Sequence, residues 1–377
     1  MFEKFKVWFF LAISGLLLIY ILNSQSVLGK AVQAFHSDNA SFVTLSIVNS
    51  SIKTVAADPT NRLALEVYTA SADGSPASDV VVSFKVDGGG SISPSKVQTD
   101  SDGRYIISYV PPLLSPQDLK QDRTVTITAS IPGISEVSAL KINLTNIPAV
   151  FVHGYQARGY VFDNLKDYLA DRNIKGSAIT YKSENGVVSA SNELSAFLYK
   201  QKHTYLSQGF QVNKFNIIAH SMGGLVTRYY SISNDNLKNN NIEKIIFLAV
   251  PHKGSPWASI GLNQYNDQGI RDMIPDGNFL SNILPTMFNK GLNSGIQTAN
   301  IAVEYDEVVD QDSGSLDEWG IKTEIFNVGG NNFSVNNLLN GNLTQAINHK
   351  SILSNKKVFE RVFEMLSTQL EYPKKSR

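Results

Sequence analysis

Ser221 sits between His220 and Met222 and is followed by Gly223-Gly224, which makes it the residue of this chain best placed to act as a nucleophile. A serine hydroxyl is a weak nucleophile at neutral pH. It needs a base within hydrogen-bond reach and a third group that orients the base. The six histidines stand at 36, 153, 203, 220, 252 and 349. Only His252 and His349 follow Ser221. In architectures that carry a nucleophile on a strand-to-helix turn, the order along the chain is Ser, then Asp or Glu, then His. His252 precedes every acid at a later strand end, so His349 is expected as the general base. Asp306 is the first residue past the apolar run 299–305 and is the expected acid, with Glu304, Glu307 and Asp310 as competitors. Attack on a carbonyl creates an oxyanion, which two fixed N–H groups must meet. The expected donors are the amides of Met222, directly after the nucleophile, and Tyr155, after His153-Gly154.

These groups must be held by a rigid frame, and the sequence describes one. The run Phe215-Asn216-Ile217-Ile218-Ala219 reads as a buried strand that stops at Ser221, and Leu225 to Tyr230 reads as a helix. Small residues at 219 and 223 are expected to relieve crowding around a strained serine. Ala149–Val152, Ser177–Tyr181, Lys244–Val250, Ala299–Tyr305 and Glu324–Gly329 read as further strands. Helical spacing is seen over 161–172, 190–208 and about 355–370. Continuous apolar strands alternating with helices predict a parallel sheet covered on both faces.

Four local motifs in this part of the chain resemble those of bacterial lipases and esterases of the α/β-hydrolase superfamily: His153-Gly154-Tyr155, Ala219-His220-Ser221-Met222-Gly223-Gly224, Pro251-His252-Lys253-Gly254-Ser255 and Asn348-His349-Lys350-Ser351-Ile352-Leu353-Ser354. Asp306 also matches the D-x-V-V segment in which the acid leads. Ala219 departs from the glycine of most members, and some bacterial lipases share it. The resemblance covers about 230 residues. It implies an α/β-hydrolase domain over 147–377 that cleaves carboxylic esters of lipid or apolar acyl chains. It also implies a Ser221–Asp306–His349 triad and no cofactor. A thioesterase, acyltransferase or polyester depolymerase would use the same triad. The long connection at about 253–298 reads either as a helical cap over the acyl pocket or as extra helices packed into the core. Asp272 to Leu280 resembles a lipase cap segment. The cap reading assigns Met273, Phe279, Leu280 and Ile283 to the substrate.

Residues 31–146 contain strands alone, punctuated by turns such as Asp73-Gly74-Ser75-Pro76 and Asp102-Gly103. Gly74-Ser75-Pro76, then Val80-x-Val82-x-Phe84, a glycine-rich turn and Thr99-Asp100-x-Asp102-Gly103 resemble the bacterial Ig-like domains of invasin-type surface proteins. That resemblance implies a β-sandwich spacer or attachment module without catalytic residues. It leaves open a surface attachment protein whose hydrolase domain is inactive. The Asp100/Asp102 pair reads as a turn, with a calcium site as the alternative. No metal-ligand spacing such as H-E-x-x-H occurs.

Met1 to Lys6 is mildly basic, Val7 to Leu22 is uncharged and almost wholly apolar, and Asn23 to Ser26 is polar. This is the pattern of an export signal over residues 1–30. The run is somewhat short for a spanning helix of about 20 residues. A cleaved signal and a retained anchor both stay open, and each places the remainder outside the cytoplasm, secreted or at the cell surface or membrane. The 377 residues are 42% hydrophobic and 18% charged, a globular composition. Lys and Arg total 33, as do Asp and Glu, so the electrostatic footprint of a dedicated nucleic-acid binder is missing. There are no cysteines, hence no thiolate chemistry.

Overall fold

A computed structural model describes residues 40–329 and 347–375. The expected signal or anchor at 1–30 lies outside the described residues. No helix among the described residues is long and apolar enough to cross a membrane. The chain divides into two compact units. One comprises residues up to Ser50 together with Leu63–Val110 and Thr126–Lys141. The other comprises Ser51–Arg62, Pro111–Val125 and Ile142 onward. The boundary expected at 146 is therefore interleaved. The short strand Thr54–Ala56 pairs with the end of the strand Val137–Thr145 and with Phe210–Gln211, so that piece belongs with the second unit.

The first unit is built from antiparallel strands. β1 (Phe42–Ile47), β3 (Leu63–Ala70), β7 (Arg104–Val110) and β5 (Ser91–Ser93) form a sheet in the order β1-β3-β7-β5, where β2 is Thr54–Ala56. β4 (Val81–Asp87) lies between β6 (Lys96–Gln98) and β8 (Arg123–Ser130). Leu63, Leu65 and Val67 of β3 are buried while Ala64 is exposed, the period-two alternation of strands in a sandwich. The buried Thr69 and Thr99 hydroxyls both reach Ala77 O and tie the strands at one corner. Asp100 Oδ1 accepts the amides of Asp102 and Arg104, which accounts for that carboxylate as a turn.

The second unit carries a parallel six-stranded sheet. Following β9 (Val137–Thr145), its strands are β10 (Ala149–Val152), β11 (Gly176–Ala178), β13 (Phe215–His220), β14 (Ile242–Leu248), β15 (Gln297–Val303) and β16 (Thr323–Phe326), with β12 at Phe210–Gln211. The spatial order is β11-β10-β13-β14-β15-β16 and every neighbouring pair is parallel. Every residue of β10, β13 and β15 is buried, as a sheet covered on both faces requires. The helices are α1 (Asp163–Ala170), α2 (Gly186–Ser207), α3 (Met222–Ser231), α4 (Asn234–Asn239), α5 (Pro256–Tyr265), α6 (Gln268–Met273), α7 (Ile347–Ser351) and α8 (Lys356–Ser367). This is the α/β-hydrolase fold. Helix α2 starts four residues earlier than its spacing predicts, because Asp272 Oδ2 accepts the Val187 amide across 85 residues of chain. Asn355 caps α8 with its side chain, as its sequence position suggests.

Candidate active site

Parallel strands deliver their carboxyl ends to one edge of the sheet, where ligands bind in open α/β folds. β10 leads there to His153-Gly154-Tyr155, β13 to Ser221 and β15 to Asp306. Four of the non-glycine residues with left-handed backbone follow strand ends at this edge: Gln156 (φ 52°), Ser221 (φ 54°), Ala249 after β14 (φ 49°) and Tyr305 (φ 58°). Such strain persists only where surrounding structure enforces it, and it concentrates at working sites. At Ser221 the enforcement is visible. Its N–H donates to Leu248 O (3.0 Å), and the Gly224 N–H bonds back to Ser221 O. A Cβ on Gly223 would lie 2.4 Å from the carbonyl oxygens of both Val152 and His153. Gly223 is thus needed because helix α3 abuts the backbone of β10.

Ser221 Oγ lies 2.9 Å from His349 Nε2. His349 Nδ1 lies 2.9 and 3.1 Å from the two carboxylate oxygens of Asp306. The side chains of His349 and Asp306 are 4% and 2% exposed, so water does not compete for these contacts. Asp306 is locked in turn, since its Oδ1 accepts the amides of Val308 (2.8 Å) and Val309 (2.9 Å). The structure therefore brings together the three residues expected from chain order. Of the competing acids, Glu304 accepts from Asn327 and Asp310 caps the Ser313 amide. Glu307 bonds main-chain amides at 348 and 349.

Tyr155 and Met222 stand near Ser221, Met222 as its chain neighbour and Tyr155 in the lining of the same cavity. The Met222 amide is the first of its helix and has no intrahelical partner. Neither it nor the Tyr155 amide meets another acceptor among the described residues. The Tyr155 loop is fixed from several sides. The His153 ring stacks on Tyr181 (centroids 4.2 Å), accepts the Tyr181 amide at Nε2, and so donates from Nδ1 to Gly154 O (2.7 Å). Burial lowers the His153 pKa, which favours this neutral form. The Gln156 amide donates to Ser183 Oγ (2.8 Å), and the Tyr155 hydroxyl donates to Asp267, the cap of α6. The Tyr155 side chain thus anchors the loop that carries the Tyr155 amide. Gly154 is needed for space, because a Cβ there would meet Ser221 Cβ at 2.8 Å.

A cavity of about 380 Å³ opens at Ser221 and His349, lined by Tyr155, Trp257, Tyr265, Met273, Val308 and Leu353 among others. That volume lies within the roughly 300–1,000 Å³ of small-molecule sites. Of the four residues assigned to substrate from the cap segment, Met273 lines this cavity. Phe279, Leu280 and Ile283 do not, because their turn packs into the core of the unit, with Phe279 against Tyr229 (centroids 6.1 Å). Helices α5 and α6 supply cavity wall while the turn after them is core, so each reading of the long connection holds for part of it. The aromatic wall residues Trp257 and Tyr265 were missed. Their signal was the spacing of α5, which places both on its buried side.

The other histidines have supporting positions. His252 Nε2 meets Asn300 Oδ1 (3.2 Å), its carbonyl accepts from the buried Arg228, and burial keeps its pKa well below the ordinary value. His203 packs on Tyr199 one helical turn away. His36 lies outside the described residues.

Comparison with known proteins gives a coarse placement. A family model described as a PGAP1-like alpha/beta domain matches residues 181–275, which include Ser221 but neither Asp306 nor His349. No curated protein matches the chain. Among solved structures, the mature lipase BlEst2 of Bacillus licheniformis is 12% identical with a TM-score of 0.45, covering 59% of this chain and 92% of its own. Lipase B of Aspergillus fumigatus is 14% identical with a TM-score of 0.43, covering 60% and 54%. The D00–D0 domain of intimin is 14% identical with a TM-score of 0.23, covering 29% and 48%. The chain spans about half the length of the latter two.

Proposed function

We propose that this chain is an exported serine hydrolase that cleaves carboxylic esters with apolar acyl groups. The observation that carries the reading is the hydrogen-bonded line Ser221 Oγ–His349–Asp306, whose first two members line a cavity together with Tyr155, Trp257, Tyr265, Met273, Val308 and Leu353. In this reading Ser221 Oγ attacks the ester carbonyl while His349 Nε2 takes its proton. Asp306 holds the ring with Nδ1 protonated and stabilises the imidazolium. The negative oxygen of the tetrahedral adduct accepts from the amides of Tyr155 and Met222. Collapse expels the alcohol, which takes the proton back from His349. Water, activated by the same imidazole, then releases the acid and restores Ser221. The chemistry uses only side chains and amides of the protein. Trp257, Tyr265, Met273, Val308 and Leu353 favour an acyl chain over a polar one, because its burial there releases water from apolar surface.

Export rests on the apolar stretch Val7 to Leu22, and surface or membrane association on that stretch and on the two-sheet unit that precedes the hydrolase unit. The test of activity is covalent labelling by a fluorophosphonate, combined with turnover of p-nitrophenyl esters of increasing chain length. The wild-type chain is expected to label at Ser221 and Ser221→Ala to lose both label and turnover. A folded Ser221→Ala protein that still labels at another serine overturns the assignment.

A further inference from the structure

His349 has four polar groups, and two of them, the ring nitrogens, are engaged by Asp306 and Ser221 in the reaction above. The other two are its main-chain N–H and C=O, and side chains hold both. The N–H donates to Glu307 Oε2 (3.1 Å), while the other oxygen of the same carboxylate accepts the Asn348 amide (3.0 Å). The C=O accepts from His220 Nε2 (3.0 Å). Glu307 follows the acid in sequence and His220 precedes the nucleophile. The Asn348 side chain adds a bond to Tyr305 O (2.9 Å), on the strained residue before Asp306.

A carbonyl only accepts, so the proton of His220 must be on Nε2. Its Nδ1 is bare, buried and without a partner among the described residues. Burial foremost, then the neighbouring His349, push the His220 pKa well below the ordinary value, so the ring is neutral. It is a fixed donor aimed at a carbonyl. The Glu307 carboxylate supplies two acceptor oxygens to two adjacent amides, which a glutamine cannot do because one of its two terminal atoms is a donor. The base sits on α7, whose described residues are Ile347–Ser351.

We infer that Glu307 and His220 are positioning residues that clamp the main chain of His349 from opposite sides, leaving its ring only side-chain rotation by which to leave Ser221. This inference rests on His349 being the base. Glu307 was a candidate for the acid. Both its oxygens are instead spent on amides, so it steers the base by holding its backbone.

The experiment uses the full chain with p-nitrophenyl butyrate and a fluorophosphonate, comparing wild type with Glu307→Gln, His220→Phe and His220→Gln. Glu307→Gln and His220→Phe are each expected to lower kcat and the labelling rate on the order of 10- to 100-fold, the scale of a displaced catalytic group. For Glu307→Gln, KM should stay within about twofold, because Glu307 does not line the cavity. His220→Gln places an amide donor where Nε2 stood and should recover most of the loss seen with Phe. A folded Glu307→Gln protein with wild-type kcat overturns the inference, as does a His220→Gln protein no faster than His220→Phe. If His220→Phe does not fold, His220→Asn replaces it. Its donor falls one methylene short, and equal rates for Asn and Gln overturn the inference. A wild-type protein that neither labels nor turns over ester overturns the hydrolase reading as well. An active wild type with unaffected variants overturns the clamp alone.

Discussion

Gly154→Ala is the sharpest perturbation available, because the site has been closed around a missing methyl group. A Cβ at 154 would lie 2.8 Å from Ser221 Cβ and 3.3 Å from both Ser221 Oγ and His220 Nδ1. Carbon atoms in favourable contact stand about 3.5–4.0 Å apart, so something must yield by at least about 0.7 Å. Ser221 has little freedom to do so. Its amide is bonded to Leu248 O, its backbone is already left-handed, and Gly223 is wedged against β10. The opposite loop is held by the His153, Gln156 and Tyr155 bonds. The displacement therefore falls on Ser221 or on the Tyr155 amide. A misplacement of about 1 Å costs roughly 100-fold in rate, so Gly154→Ala is expected to lose about 10- to 50-fold in kcat for p-nitrophenyl butyrate. Overpacking of this kind also costs about 1–3 kcal/mol of stability, measurable by urea unfolding. Gly314→Ala is the control. There the new Cβ meets its nearest neighbours at 3.4–3.6 Å, ordinary contact, and stability should change by less than about 1 kcal/mol. A folded Gly154→Ala protein with wild-type rate and stability would refute the reasoning.

Two further outcomes follow from side chains that reach across the second unit. Tyr155→Phe removes the donor to Asp267 while keeping the ring against Tyr265. A bond to a charged partner contributes about 1.5–3 kcal/mol, so urea unfolding should register a loss of that order. kcat should fall with it if the Tyr155 amide is the oxyanion donor, and an unchanged kcat would mean that the hydroxyl bond to Asp267 does not position that amide. Asp272 is a buried carboxylate whose pKa is raised, burial being the main cause. The folded state then binds the proton more tightly than the unfolded one. Stability from this group is present below the unfolded pKa near 3.8 and declines as pH rises through the higher folded pKa. Asp272→Asn can still accept the Val187 amide and pair with Gln268. It should flatten this part of the stability–pH curve and leave stability at pH 7 equal or higher; an unchanged curve would mean that Asp272 does not titrate there.

Much of the site was legible in the sequence because its logic is local or ordinal. An apolar run broken at Ser221 by two glycines encodes a strand, a sharp turn and a helix. The chain order Ser, acid, His of the proposed triad leaves His349 as the histidine that fits, and a residue directly past a strand end is presented at the sheet edge by the geometry of parallel strands. The structure brings these residues within hydrogen-bond distance. The two-sheet unit was legible for the same reason, as alternation with period two and turn residues between strands.

What the tertiary structure decided is everything that depends on contacts between residues far apart in sequence. Apolar spacing cannot say which of two hydrophobic surfaces a helix will cover, so Phe279, Leu280 and Ile283 went to the core while Trp257 and Tyr265 took the cavity wall. The start of α2 is set by a carboxylate 85 residues away, a cap that no local signal can announce. Gly223 and Gly154 are small because of backbone and side chains that folding brings against them. Glu307 and Asp306 are adjacent carboxylates of nearly the same chemistry. Only the path of the chain after β15 turns one toward the imidazole of His349 and the other toward its amide.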